Sequence, residues 1–185
     1  MSVTPAQGKN ILDMLVVAES SLQAGRTVPA MVLMYSLIDS MAWVAQPDSQ
    51  NLRNRFESWA TQWLLPKMRA ATPPVSATDL YAARCALLHT GTGVSDLYKA
   101  GKARRFLYSW GKADVQVLEY AIATGVVPQN HVAMHCEEFL AAIRIAVADF
   151  IESAETDALL AERLKSAASL GYTNVPYDHG TDSEK

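Results

Sequence analysis

The sequence predicts an all-α fold, a bundle of about five helices with a small β-hairpin inserted. It reads as a single domain over residues 1–170 with a flexible tail over 171–185. Apolar residues recur at helical spacing through most of the chain, and turn residues such as Gly25, Pro47-Asp48-Ser49 and Thr72-Pro73-Pro74 separate the runs. One short segment breaks this rhythm: Phe106, Tyr108 and Trp110 alternate with a period of two. At 185 residues and 50% hydrophobic, the chain can bury one substantial core.

Ile11, Leu12, Leu15, Val16, Ala18 and Leu22 predict a first helix over 5–24, stopped at Gly25. Residues 28–45 are apolar on nearly every side, interrupted by Pro29, Ser36, Asp39 and Ser40, which predicts an enclosed core helix rather than a membrane span. Asp39 is its one ionisable residue, and a carboxylate there needs a partner or a proton. Leu52, Phe56, Trp59 and Trp63 mark a third helix, ended by Leu65-Pro66, with the tryptophans in the core.

The next helix is the best marked. Ser76 and Asp79 have the spacing of a capping box, Val75 and Leu80 that of a hydrophobic staple, and Gly91 supplies the stop. Leu80, Tyr81, Leu87 and Leu88 surround Arg84, which places a cation in the middle of an apolar face and makes Asp39 its obvious partner. His89 follows in the last turn.

Beyond it, Lys99, Lys102, Arg104, Arg105 and Lys112 put five cations in fourteen residues. Cations interleaved with Phe106, Tyr108 and Trp110 are a pattern that single-stranded RNA binding uses, through phosphate contact and base stacking; a solvated loop leading into a half-buried strand is the plainer alternative. Strands over 104–110 and 115–121 make the hairpin, although Val115, Leu118 and Ile122 also fit a helix. Val132, Cys136, Phe139, Leu140, Ile143, Val147, Phe150 and Ile151 form a long amphipathic helix, and Leu159, Leu160 and Leu164 continue the pattern after a break near Glu155. His131 and His135, four apart on that helix, would share a face and could ligate a transition metal.

A net charge of −3 and a pI near 5.8 argue against a protein that coats nucleic acid through bulk positive charge. Cys85 and Cys136 stand in no metal or redox spacing and read as reduced thiols. The first residues show no apolar leader, and the expected location is cytoplasmic.

The string Arg84-Cys85-Ala86-Leu87-Leu88-His89, on a capped amphipathic helix and followed by the later KARRFLYSWG, resembles the Arg-x4–6-His motif of the HEPN superfamily of small helical-bundle proteins. The resemblance runs from about residue 10 to about residue 155. It departs at Cys85, where the family often carries a polar residue. The resemblance implies a metal-independent endoribonuclease of the toxin or defence type, without a cofactor, acting on RNA as a homodimer through the motif helix, with an antitoxin protein as a further partner. His89 would be its acid or base and Arg84 its phosphate clamp. Asp39, Cys85 and Thr90 would support them, and Lys99, Lys102, Arg104, Arg105 and Lys112 would bind RNA. The competing reading is a non-catalytic dimeric module that binds a nucleotide, RNA or protein, with Asp39–Arg84 as structural glue.

One geometric problem remains. On an ideal helix, positions 84 and 89 are about 140° apart and offset by about 7.5 Å. Either the last turn distorts or a second copy completes the site.

Overall fold

The computed structural model describes residues 5–71 and 73–169; the tail over 171–185 lies outside them. The fold is mostly helical, at 66%. Eight α-helices, rather than about five, are present among the described residues: α1 Pro5–Gln23, α2 Thr27–Ala45, α3 Leu52–Trp59, α4 Ala77–Cys85, α5 Asp96–Lys99, α6 Val115–Ala123, α7 Cys136–Ser153 and α8 Ala158–Ser169. The larger number comes from the short α5, from a break at 154–157 that separates α8 from α7, and from α6, which replaces an expected strand.

Helix α2 is the central element. It contacts α1, α3, α7 and α8, and buries Met31, Met34, Tyr35, Leu37, Ile38 and Met41 among them. By length and composition alone this helix could cross a membrane, yet half of its most apolar window is buried inside the fold. Trp59, Phe56, Phe139 and Phe150 fill the rest of the main core, with Trp59 and Trp63 both edge-on to Phe150. The third helix holds α geometry only to Trp59, then widens into a π-turn over Ala60–Leu64 and tightens into a 3-10 turn over Leu65–Lys67 as Pro66 ends it.

The expected hairpin is corrected. Strand β1, Arg105–Ser109, pairs in parallel with β2, His131–His135, in the register Arg105↔His131 to Ser109↔His135. Parallel strands cannot be joined by a tight turn and need a crossover. Helix α6 provides it: the Asp114 side chain accepts a hydrogen bond from Gln116 N at 2.8 Å and caps the helix, and Val115, Leu118 and Ile122 keep their helical spacing. The pair is covered on both sides. Phe106, Tyr108, Val132 and Met134 face the main core, while Leu107 and Ala133 pack with Val115, Leu118, Ile122 and Val127 in a second cluster under α6. The long helix therefore begins at Cys136, and the segment 131–135 before it is extended.

Candidate active site at the end of the motif helix

Helix α4 begins as its sequence requires. The Ser76 side chain accepts from Asp79 N at 3.1 Å while Asp79 Oδ2 accepts from Ser76 N at 3.0 Å, which is the full capping box. Its end differs from an α-helix: Ala86–Thr90 form a π-turn, closed by Gly91 in the left-handed region with φ of 62°. A π-turn spans five residues where an α-turn spans four, so the residues after it shift by one position around the axis. His89 thereby takes the place that residue 88 would have in an unbroken α-helix, directly over Arg84.

The result is a linked triad of side chains. Arg84 donates from Nε to Asp39 Oδ2 at 2.7 Å, with Nη2 also 2.7 Å from that oxygen. Its third nitrogen, Nη1, lies 2.7 Å from His89 Nε2. An arginine can only donate, so in this contact Nε2 is the acceptor, which calls for the tautomer with its proton on Nδ1. The Asp39–Arg84 pair expected from two stranded charges on apolar faces is thus present, and the last turn distorts so that no second copy is needed to bring residues 84 and 89 together.

Arg84 has 16% of its side chain exposed and Asp39 30%, and both line an open groove of about 730 Å³ with Arg55, Tyr81 and Trp43; His89 is exposed. Burial pushes the Asp39 carboxyl above its usual range, against the smaller opposing pulls of Arg84 and Arg55. Burial disfavours the Arg84 cation too, but Asp39 outweighs it and holds Arg84 up. The asymmetry is physical, because a delocalised guanidinium is more weakly hydrated than a compact charge. Cys85 is half-buried beside Arg84, and burial together with Cys85 holds the Tyr81 phenol up. Thr90 Oγ1 donates to Ala86 O at 2.6 Å and meets Thr92 Oγ1 at 2.7 Å, so it fastens the π-turn rather than reaching the groove.

Arg55 and Tyr81 were not among the site residues expected from the sequence. Arg55 borders the apolar stripe of α3 beside Phe56, and a cation at the edge of such a stripe was the available signal.

The cationic stretch separates into two kinds. Arg104 is drawn inward: its backbone N donates to Asp79 Oδ1 at 2.7 Å, and its guanidinium reaches Asp79 Oδ2 and Pro74 O. With the Asp79 side chain only 3% exposed, this is a structural ion pair and not a free RNA contact. Lys99 is exposed and loosely paired with Asp96 at 3.1 Å. Lys102, Arg105 and Lys112 are exposed. Of the aromatics, Phe106 is buried, Tyr108 half-buried with its hydroxyl 3.0 Å from that of Tyr35, and Trp110 is 47% exposed.

His131 and His135 do not share a metal. In an extended strand, four residues separate them by about 13 Å. The buried His131 meets Pro128 O through Nδ1 at 3.0 Å, and His135 Nδ1 faces Glu137 Oε2 at 3.3 Å. Among the described residues there is no group of three or more His, Cys, Asp or Glu that could hold a metal ion. Both cysteines are free thiols.

Compared with family models, with curated proteins and with solved structures, the chain matches none.

Proposed function

We propose that the protein is a HEPN-like, metal-independent endoribonuclease with His89 as acid or base and Arg84 as phosphate clamp. The observation that carries this reading is the 2.7 Å contact between Arg84 Nη1 and an exposed His89 Nε2 at a π-turn, with Arg84 anchored from behind by Asp39. π-turns inside helices are frequent at functional sites. RNA can be cleaved without a metal when a base takes the proton of a 2′-hydroxyl, the oxygen attacks its own phosphate, and an acid protonates the departing 5′-oxygen. A neutral imidazole, whose ordinary pKa is about 6.5, suits the first task and its protonated form the second. A phosphate arriving at Arg84 Nη1 takes over the hydrogen bond that His89 accepts and frees Nε2 for the proton. Asp39 keeps the guanidinium charged and aimed, so that it stabilises the charge gathering on the phosphorane oxygens.

The test is an RNA-cleavage assay in the presence of EDTA. Wild type is expected to release fragments ending in 2′,3′-cyclic phosphate and His89→Ala to release them at least about a hundredfold more slowly; equal cleavage by both rejects the assignment of His89. The second copy belongs to the same proposal, as a homodimer in the cytoplasm facing across the motif helix. Light scattering at micromolar concentration is then expected to give twice the 20.2 kDa chain mass, and a clean monomer rejects that part.

RNA affinity has its own check. Changing Lys102, Arg105 and Lys112 to Glu is expected to weaken binding and to flatten its salt dependence, by about 0.7 in the log–log slope for each phosphate that is no longer neutralised. An unchanged slope makes these cations a solvated surface.

A further inference from the structure

A second cavity, of about 240 Å³, opens on the other side of the motif helix from the groove of Asp39 and Arg84. Met31, Ala83, Leu87, Phe106 and Tyr108 line it together with the exposed Trp110, and the loop Gly91–Gly93 and Arg105 border it. It is small beside the 300–1,000 Å³ common for ligand sites, so it suits a single flat ring system with little attached. Two features say what kind. Arg105 is a strong cation whose side chain has no hydrogen-bond or ion-pair partner among the described residues, unlike its neighbour Arg104 on Asp79. Its guanidinium lies over Gly93, where an added Cβ would meet Arg105 Nε at 3.0 Å, so the glycine leaves room for it. A cavity that carries an unpaired guanidinium at one end of β1 and an exposed indole at the other is complementary to an aromatic ring bearing an anion a few ångströms away.

We propose that this cavity holds one nucleobase of single-stranded RNA, with Trp110 as the stacking surface and Arg105 at the adjoining phosphate. The choice of RNA rests on the function proposed above. The placement is suited to it, because Gly91, which lines the cavity, is two residues from His89 and at most about 7 Å from it along the backbone. A strand with one base seated here has to cross the end of the motif helix to bring a neighbouring phosphodiester to His89, and the cavity then sets which one arrives.

Calorimetric titration with adenosine 5′-monophosphate, uridine 5′-monophosphate and ribose 5-phosphate tests the cavity without relying on cleavage. At least one nucleotide is expected to bind saturably, with ribose 5-phosphate about tenfold weaker or more, the scale of losing one stacking partner. Trp110→Ala, and Gly93→Leu by filling the mouth, are each expected to weaken nucleotide binding about tenfold with the melting temperature unchanged; should Gly93→Leu not fold, the exposed Trp110 carries the test. The proposal is overturned by absence of saturable binding, by ribose 5-phosphate binding as tightly as the nucleotides, or by affinity unchanged in the folded variants. A protein that binds nucleotide through Trp110 but cleaves nothing sinks the nuclease reading alone, and one that cleaves RNA but binds no nucleotide sinks this cavity alone.

Discussion

Asp79→Ala is expected to lower the unfolding free energy by about 3–5 kcal/mol, the cost of leaving one partner of a buried ion pair alone. Asp79 accepts from Ser76 N, Ser76 Oγ, Arg104 N and the Arg104 guanidinium, so one substitution removes the reciprocal half of the capping box and strands a cation at once. Burial alone would raise its pKa, but Arg104 and Ser76 outweigh burial and hold it below the usual carboxylate range. The sign follows from linkage. A depressed folded-state pKa means stability that is fully present above the unfolded value, about 3.9, and is lost as pH falls through the folded value. Urea unfolding of wild type is therefore expected to weaken through the acid side of pH 4, and Asp79→Asn to lose part of that dependence. A variant within about 1 kcal/mol of wild type would mean that Arg104 finds solvent instead.

His89→Ala is expected to lower the cleavage rate about 10²–10⁴-fold, the usual range for a lost acid or base, while leaving stability nearly intact because the ring is exposed. Arg84→Ala is expected to lower the rate by about 10²–10³-fold. It also has a structural cost, since Asp39 loses its closest cation. That cost is set at about 1–3 kcal/mol rather than the larger figure for a fully buried pair, because Asp39 keeps 30% of its side chain exposed and Arg55 nearby. Melting curves and cleavage on both variants separate the two readings of the site. Folded variants that are dead beside an active wild type support the nuclease. A large melting shift for Arg84→Ala, with no cleavage of any RNA by wild type, leaves Asp39–Arg84 as a structural tie.

Much of this was legible in the sequence where the cause is local. The capping box at Ser76 and Asp79 and the stop at Gly91 follow from residues a few positions apart. The Asp39–Arg84 pair spans 45 residues but was still readable, because each is a lone charge on an apolar helix face and such a charge needs a partner. The parallel sheet was not readable. Its strands are linked by a crossover, and β2 carries a single β-branched residue, Val132, so its short apolar run merges into the pattern of α7. Arg104 was hidden by an explanation already sufficient: Asp79 had a role as a cap, and nothing local showed that its capping oxygen would also take a guanidinium and its second oxygen the Arg104 backbone N–H. The π-turn is also invisible to the apolar pattern, which an α-helix through residue 90 satisfies; only the angle between Arg84 and His89 pointed to a distorted last turn.

That π-turn also makes the site tolerant of length changes. An extra residue accommodated within one helical turn is, to the backbone, the same event as a one-residue insertion absorbed without lengthening the helix. Deleting Leu88 and letting the segment return to α geometry would set the histidine four positions from Arg84 rather than five, again on one face. A pair of side chains can thus keep the same contact across two different sequence separations, provided that the helix changes type with the count. For Arg84 and His89, the number of residues between them measures the local winding of the helix and not the distance between the groups.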